Sequence, residues 1–245
     1  MKRAARRVKV RGVGSNGASL DSASSDGGFT LVELMITMIL LGVVGTVMVN
    51  IVGTTNKVYL DDTARGDSGV VAATAVARIQ SDLLGAAPLQ LAPDTLPVPA
   101  LVSAAENDLT FYSLRNGQAT RFRIYVTPDN KLVEDSQKME KVVTSATGAQ
   151  QTYFKVAAQL PTRLLSPAIT VTATAPLFTY WSGGDINAAP QQISFSGTGS
   201  TNIAFLQLVH SISLRLAVSR DPSRGVAPVV LPLRVTPPNL GVMTR

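Results

Sequence analysis

The chain has 245 residues, room for one globular domain of ordinary size plus an extended segment, and little room for two domains. It has no cysteine and one histidine, His210, which excludes disulfide frameworks, thiolate metal sites, cysteine nucleophiles and lipoprotein anchoring, and removes most zinc-site and triad geometries. The formal charge of +6 is unevenly placed: Lys2, Arg3, Arg6, Arg7, Lys9 and Arg11 face only Asp21 and Asp26 within residues 1–28, a net of +4, and residues 29–245 carry a net of +2. If the first segment is removed, most of the case for a basic nucleic-acid binder goes with it.

From Leu34 to Thr55 no residue is charged, and the run LMITMILLGVVGTVMVNIVG has the length of about 20 residues needed to cross a bilayer as a helix. It is longer than the apolar core of a cleaved secretory signal and is followed by no small-residue cleavage site. Basic residues cluster before the run, so the N-terminus is expected in the cytoplasm and the bulk of the chain outside. No proline occurs between Phe29 and Ala87, and Leu60, Ala64, Val71, Ala75, Ile79 and Leu83 recur at helical spacing, so the helix is expected to continue as an amphipathic one. Unbroken from Phe29 to Ala87 it would be roughly 90 Å long, with glycines at 42, 45, 53, 66 and 69 weakening it. Pro88 and the stretch APDTLPVPA end it.

After Asn107 the period changes to two. DLTFYSL places Leu109, Phe111 and Ser113 on one face, Asn116-Gly117 supplies a hairpin turn, and TRFRIYV returns; TPDNK then turns the chain into KLVED. Further strands are expected at 152–158, 169–174, 176–181, 203–218 and 227–235. The predicted organisation is a leader at 1–28, a transmembrane helix at 29–55, an amphipathic helix at 56–87, a proline-rich connection at 88–106 and a β-rich domain at 107–245.

The segment Gly27-Gly28-Phe29-Thr30-Leu31-Val32-Glu33-Leu34-Met35-Ile36 resembles the processing motif of type IV pilins and of type II secretion pseudopilins. The resemblance implies an α+β fold, a long N-terminal helix packed on an antiparallel sheet. It also implies cleavage by prepilin peptidase between Gly28 and Phe29, N-methylation of Phe29, and assembly with other pilins or pseudopilins through an inner-membrane platform. The physical reading agrees with it. A carboxylate well inside an apolar segment costs about 2.5–3.5 kcal/mol on insertion scales, less near an end, so Glu33 needs a partner. Cleavage would create an α-amine at Phe29, four residues before Glu33, and Glu33 would favour both that helix end and a neighbouring subunit's amine. Gly28 suits a protease because a residue without a side chain is closely approached.

The stretches VARIQSDLLGAA, PLFTYWSGGDIN and FLQLVHSISLRLAVSRDP are similar to PilW-type minor pilins and to the J-type pseudopilin of type II secretion. That resemblance implies a subunit at or near a filament tip that helps to initiate assembly. Three readings stay open: a minor pilin serving adhesion, twitching or DNA uptake; a secretion pseudopilin; and an unprocessed, membrane-anchored binding domain. DNA is neither required nor forbidden by the small net charge.

No catalytic constellation, cofactor or metal is expected. Gly12-Val13-Gly14-Ser15-Asn16-Gly17 satisfies GxGxxG, but no strand of useful length precedes it and no helix follows. His210 reads as a strand residue. Asp185 and Asn187 are too few oxygens to argue for calcium. Phe178, Tyr180 and Trp181 read as sheet packing, with surface adhesion as the minority alternative.

Overall fold

The computed structural model describes residues 29–93, 95–146, 149–170, 175–183, 189–195, 199–219 and 226–240. Two compact units divide the chain between Gly53 and Thr54. The first contributes the opening half of helix α1, Leu31–Leu84, whose apolar side chains up to Val52 all lie exposed. The second holds the rest of α1 and every β-strand.

The helix stops at Leu84, short of the expected Ala87. Its last turn tightens, with Gly85 N–H donating to Asp82 O at 3.2 Å and Ala86 N–H to Leu83 O at 2.9 Å. Gly85 then passes close to the sheet: a Cβ there would lie 2.4 Å from Ser113 Oγ. The predicted apolar stripe holds from its middle onward. Ala75, Ile79 and Leu83 are buried, joined by Ser68, Ala72 and Asp82, while Leu60 at its start is exposed because burial of the helix begins only at Ser68.

Two antiparallel sheets stand where one was expected. The first contains β1 (Leu101–Ala104), β2 (Asp108–Arg115), β3 (Gln118–Val126), β4 (Leu132–Ala146) and β5 (Ala149–Gln159) in that order, with β6 (Arg163–Ser166) also paired to β4. The second runs β10 (Val229–Val235), β9 (Val209–Val218), β7 (Phe178–Ser182), β8 (Gln192–Ile193). The β2–β3 hairpin closes at Asn116-Gly117, both with positive φ, as the sequence predicts for a two-residue turn.

Several expected strands differ. The span 203–218 is not one strand: α2, Ile203–Leu206, occupies its start. Asn202 caps that turn through its side chain, which accepts from Ala204 N–H at 3.0 Å, and Leu206 is buried as its anchor. At 169–174 only Ile169, bridged to Val218, and Thr170 are described, so the rest of that strand lies outside the described residues. The proline-rich connection is partly built into the sheet. It contains β1, and Leu89 and Val98 exchange backbone hydrogen bonds of 3.1 and 2.8 Å.

The main core lies where α1 and the inner faces of both sheets meet. Ala72, Ala75, Ile79 and Leu83 pack with Leu109, Phe111, Phe122 and Ile124 of the first sheet and with Phe178, Tyr180, Ile212, Leu214 and Leu216 of the second. Phe111 and Phe122, directly opposite in register, stack at 5.6 Å. Tyr180 ties the sheets together, its hydroxyl donating to Ala105 O at 2.7 Å. On the other face of the first sheet a smaller cluster, Leu89, Tyr112, Ala119 and Met139, lies under the proline-rich segment.

Candidate processing and assembly segment

Gly28 and the rest of the expected leader, residues 1–28, lie outside the described residues, as do the GxGxxG stretch and Asp185 and Asn187; Phe29 is the first residue described and is exposed. Phe29 and Thr30 precede the helix, and Thr30 caps it. Its hydroxyl accepts from Glu33 N–H at 3.2 Å, and its carbonyl accepts the first helical bond, from Leu34 N–H at 3.1 Å. The motif thus supplies its own helix start. A T-x-x-E spacing is the signature of a capping box, a signal in the sequence that the expectation for Glu33, at the helix end and beside a neighbouring amine, does not include. The structure brings Thr30 and Glu33 together within one turn and places Phe29 just outside it. Glu33 lies in the first turn, where the exposed amide groups favour a negative charge.

Behind Glu33 the apolar face is continuous and has no partner among the described residues. Leu34, Met35, Ile36, Ile39, Leu40, Val43, Val44, Val47 and Ile51 are all exposed. Hydroxyls within this stretch are turned back onto the helix: Thr37 Oγ1 donates to Leu34 O at 2.8 Å and Thr46 Oγ1 to Gly42 O at 2.9 Å. Such internal pairing is what a polar side chain requires in hydrocarbon or among packed helices. This is one helix long and apolar enough to cross a membrane.

The second half of α1 carries a different polar device. Arg78 reaches Glu134 of β4 with Nη2–Oε1 at 3.2 Å and meets Asp82, one turn on, with Nε–Oδ2 at 2.9 Å. The latter is a charge contact and not an aligned hydrogen bond. Arg115 approaches Asp82 from β2 at 3.8 Å. Asp82 and Glu134 are almost wholly buried, so these guanidinium groups supply the charge that allows two carboxylates inside the fold. Burial pushes the Asp82 carboxyl up to about 6, against the opposing pull of Arg78. No motif announced this cluster. Arg78 and Asp82 lie within the stretch VARIQSDLLGAA, and Glu134 comes from 52 residues beyond Asp82.

His210 lies exposed in β9, packed beside Gly183, where a Cβ would come within 2.7 Å of its ring. Phe178 and Tyr180 enter the core, whereas Trp181 faces outward, where Arg234 stacks over it at 4.8 Å and its Nε1 donates to Ser213 Oγ at 2.9 Å. Among the described residues no cluster of three metal-ligating side chains occurs.

Residues 24–49 match the family described as the prokaryotic N-terminal methylation motif. A comparison with curated proteins gives no match. The matched segment covers the Gly28–Phe29 junction, Thr30, Glu33 and the larger part of the apolar run. It indicates a type IV pilin-type signal for processing by prepilin peptidase, and with the apolar helix it fits a single-pass membrane-anchored protein.

Proposed function

We propose that the chain is a minor pilin or pseudopilin, cleaved between Gly28 and Phe29, methylated on the new Phe29 amine, and built into a thin filament outside the cytoplasmic membrane. The observation that carries this reading is the exposed apolar helix face that begins directly behind a capped processing motif. The large apolar side chains from Leu31 to Val52 lie exposed, so they require lipid before assembly and the same segment of other subunits afterwards. In this reading residues 1–28 are a leader kept in the cytoplasm, 29–55 form the membrane anchor and later the filament core, 56–87 continue the helix into the globular domain, 88–106 connect, and the β-rich domain at 107–245 forms the outer surface.

Glu33 then has two tasks. In the bilayer it sits at the headgroup end of the span, beside the first turn's amide groups. In the filament it accepts the Phe29 ammonium of a neighbouring subunit, which neutralises both charges in an apolar core. Glu33→Val should leave cleavage intact and stop incorporation of the subunit into filaments, measured as mature protein that stays in the membrane fraction. The resemblance of the later stretches to PilW-type minor pilins favours a place at or near the filament tip over the shaft. A J-type pseudopilin is the second reading, favoured by the same stretches.

The deciding experiment is mass spectrometry of the mature N-terminus in cells with and without prepilin peptidase. A chain beginning at N-methylated Phe29, replaced by the full precursor when the peptidase is absent, is the expected result. A chain that keeps residues 1–28 in both strains overturns the proposal and leaves a membrane-anchored binding domain.

A further inference from the structure

On the outer face of the first sheet, β4 changes neighbours. It pairs with β5 as far as Gln137↔Gln159 and with β6 from Glu134↔Arg163, and between these points Leu160 N–H donates to Ser136 O at 2.8 Å. At this change of neighbour lies an open surface groove of about 260 Å³ lined by Arg121, Arg123, Asp135, Ser136, Gln137 and Gln159. Every lining residue is polar, so the groove does not suit an apolar ligand.

Two of the charged groups are already engaged. Arg123 is held by Asp108 through Nη2–Oδ2 at 2.6 Å and Nε–Oδ2 at 3.0 Å, and Asp135 accepts from the Thr162 hydroxyl. The side chains of Arg121, Gln137 and Gln159 form no hydrogen bond or ion pair among the described residues. These three are register partners: Arg121 lies opposite Gln137, and Gln137 opposite Gln159. They therefore form one row across three strands, with neighbouring Cβ atoms about 5 Å apart.

We propose that this row is a binding site for a carboxylate-bearing sugar, the uronate class. A free guanidinium offers a planar fork of donors that fits a carboxylate with two parallel hydrogen bonds. Each glutamine amide offers both a donor and an acceptor, the complement of a sugar hydroxyl, which is itself both. The order of the row, cation first and then two amides, matches a ring with its carboxylate at one end and hydroxyls along its edge. A simple anion would leave both amides unused.

Isothermal titration of the full chain in detergent micelles with glucuronate, glucose, acetate and inorganic phosphate tests the site. Saturable binding of glucuronate is expected, with the other three weaker by about tenfold or more. Arg121→Ala should weaken glucuronate by about tenfold and Gln137→Ala by severalfold, while Arg215→Ala, on the second sheet, leaves it unchanged. Thermal unfolding of each variant confirms that the domain is folded, and Gln159→Ala, at the end of its strand, serves if Arg121→Ala does not fold. The proposal is overturned if glucuronate does not saturate, if acetate or phosphate binds as tightly, if glucose binds equally well, or if the folded row variants bind like the parent chain.

Discussion

Folding alters the chemistry of Asp82. Its ordinary value of 3.8 rises to about 6 because burial disfavours the carboxylate more than Arg78 and Arg115 favour it, with Glu134 adding repulsion. The folded state therefore holds this proton more tightly than the unfolded chain. The stability linked to it is complete below the ordinary value and is lost as the pH rises through about 6. Asp82→Asn removes the titration, so the melting temperature of the variant minus that of the parent should increase by a few degrees between pH 4 and pH 7, read by circular dichroism. A constant difference across that range would mean that Asp82 titrates normally. Ile79, fully buried one turn before Leu83, tests the packing beside it: Ile79→Ala should cost about 2–5 kcal/mol in urea unfolding.

Among the elements, α1 and β2 meet closely just after the helix ends. Gly85 lies against Ser113 Oγ and Arg115 Cγ, with Leu114 N–H donating to Gly85 O at 2.8 Å and Ala87 N–H to Tyr112 O at 3.1 Å. Gly85→Ala should destabilise the domain by about 1–3 kcal/mol. Much of that loss should return in Gly85→Ala with Ser113→Gly, because Ser113 Oγ is the nearest clash and is buried with no hydrogen-bond partner of its own. A double-mutant cycle with no coupling would show that Arg115 is the obstacle instead. The β2–β3 hairpin offers an independent check. Gly117 has φ of +76°, so Gly117→Ala should cost about 1–2 kcal/mol without altering the register, seen as unchanged cross-strand contacts by NMR.

Across the molecule as a whole, the two halves of α1 answer to different solvents. All the buried side chains of the helix lie from Ser68 onward, and the core they join belongs wholly to the unit that begins at Thr54. A chain starting at Thr54 should therefore remain soluble, with the cooperative unfolding transition of the β-rich unit preserved. The full chain should stay with membranes after alkaline carbonate extraction. A truncated chain that aggregates or unfolds without a transition would mean that the apolar half contributes to the fold as well as to anchoring.

The N-terminal segment could be read locally. The apolar run, its length, Glu33 and the glycine-aromatic junction are properties of neighbouring residues, and even the missed Thr30 cap is a spacing of three. The Asn116-Gly117 hairpin was legible for the same reason, since a two-residue turn encodes its own positive φ. Strand boundaries after Gln159 were less legible. The alternation in 203–218 continues across a helical turn that only the Asn202 cap and the buried Leu206 distinguish from a strand. The division into two sheets, the entry of the proline-rich segment into the first, the Arg78–Asp82–Glu134 cluster and the Arg121–Gln137–Gln159 row all join residues from separate strands or helices. Composition and period report which faces are apolar, but pairing is chosen by competition among all faces for the same core. The apolar helix and the methylation motif are accordingly written along the chain, in neighbouring residues, whereas the meeting of polar groups from remote strands exists only once the core has selected their pairing.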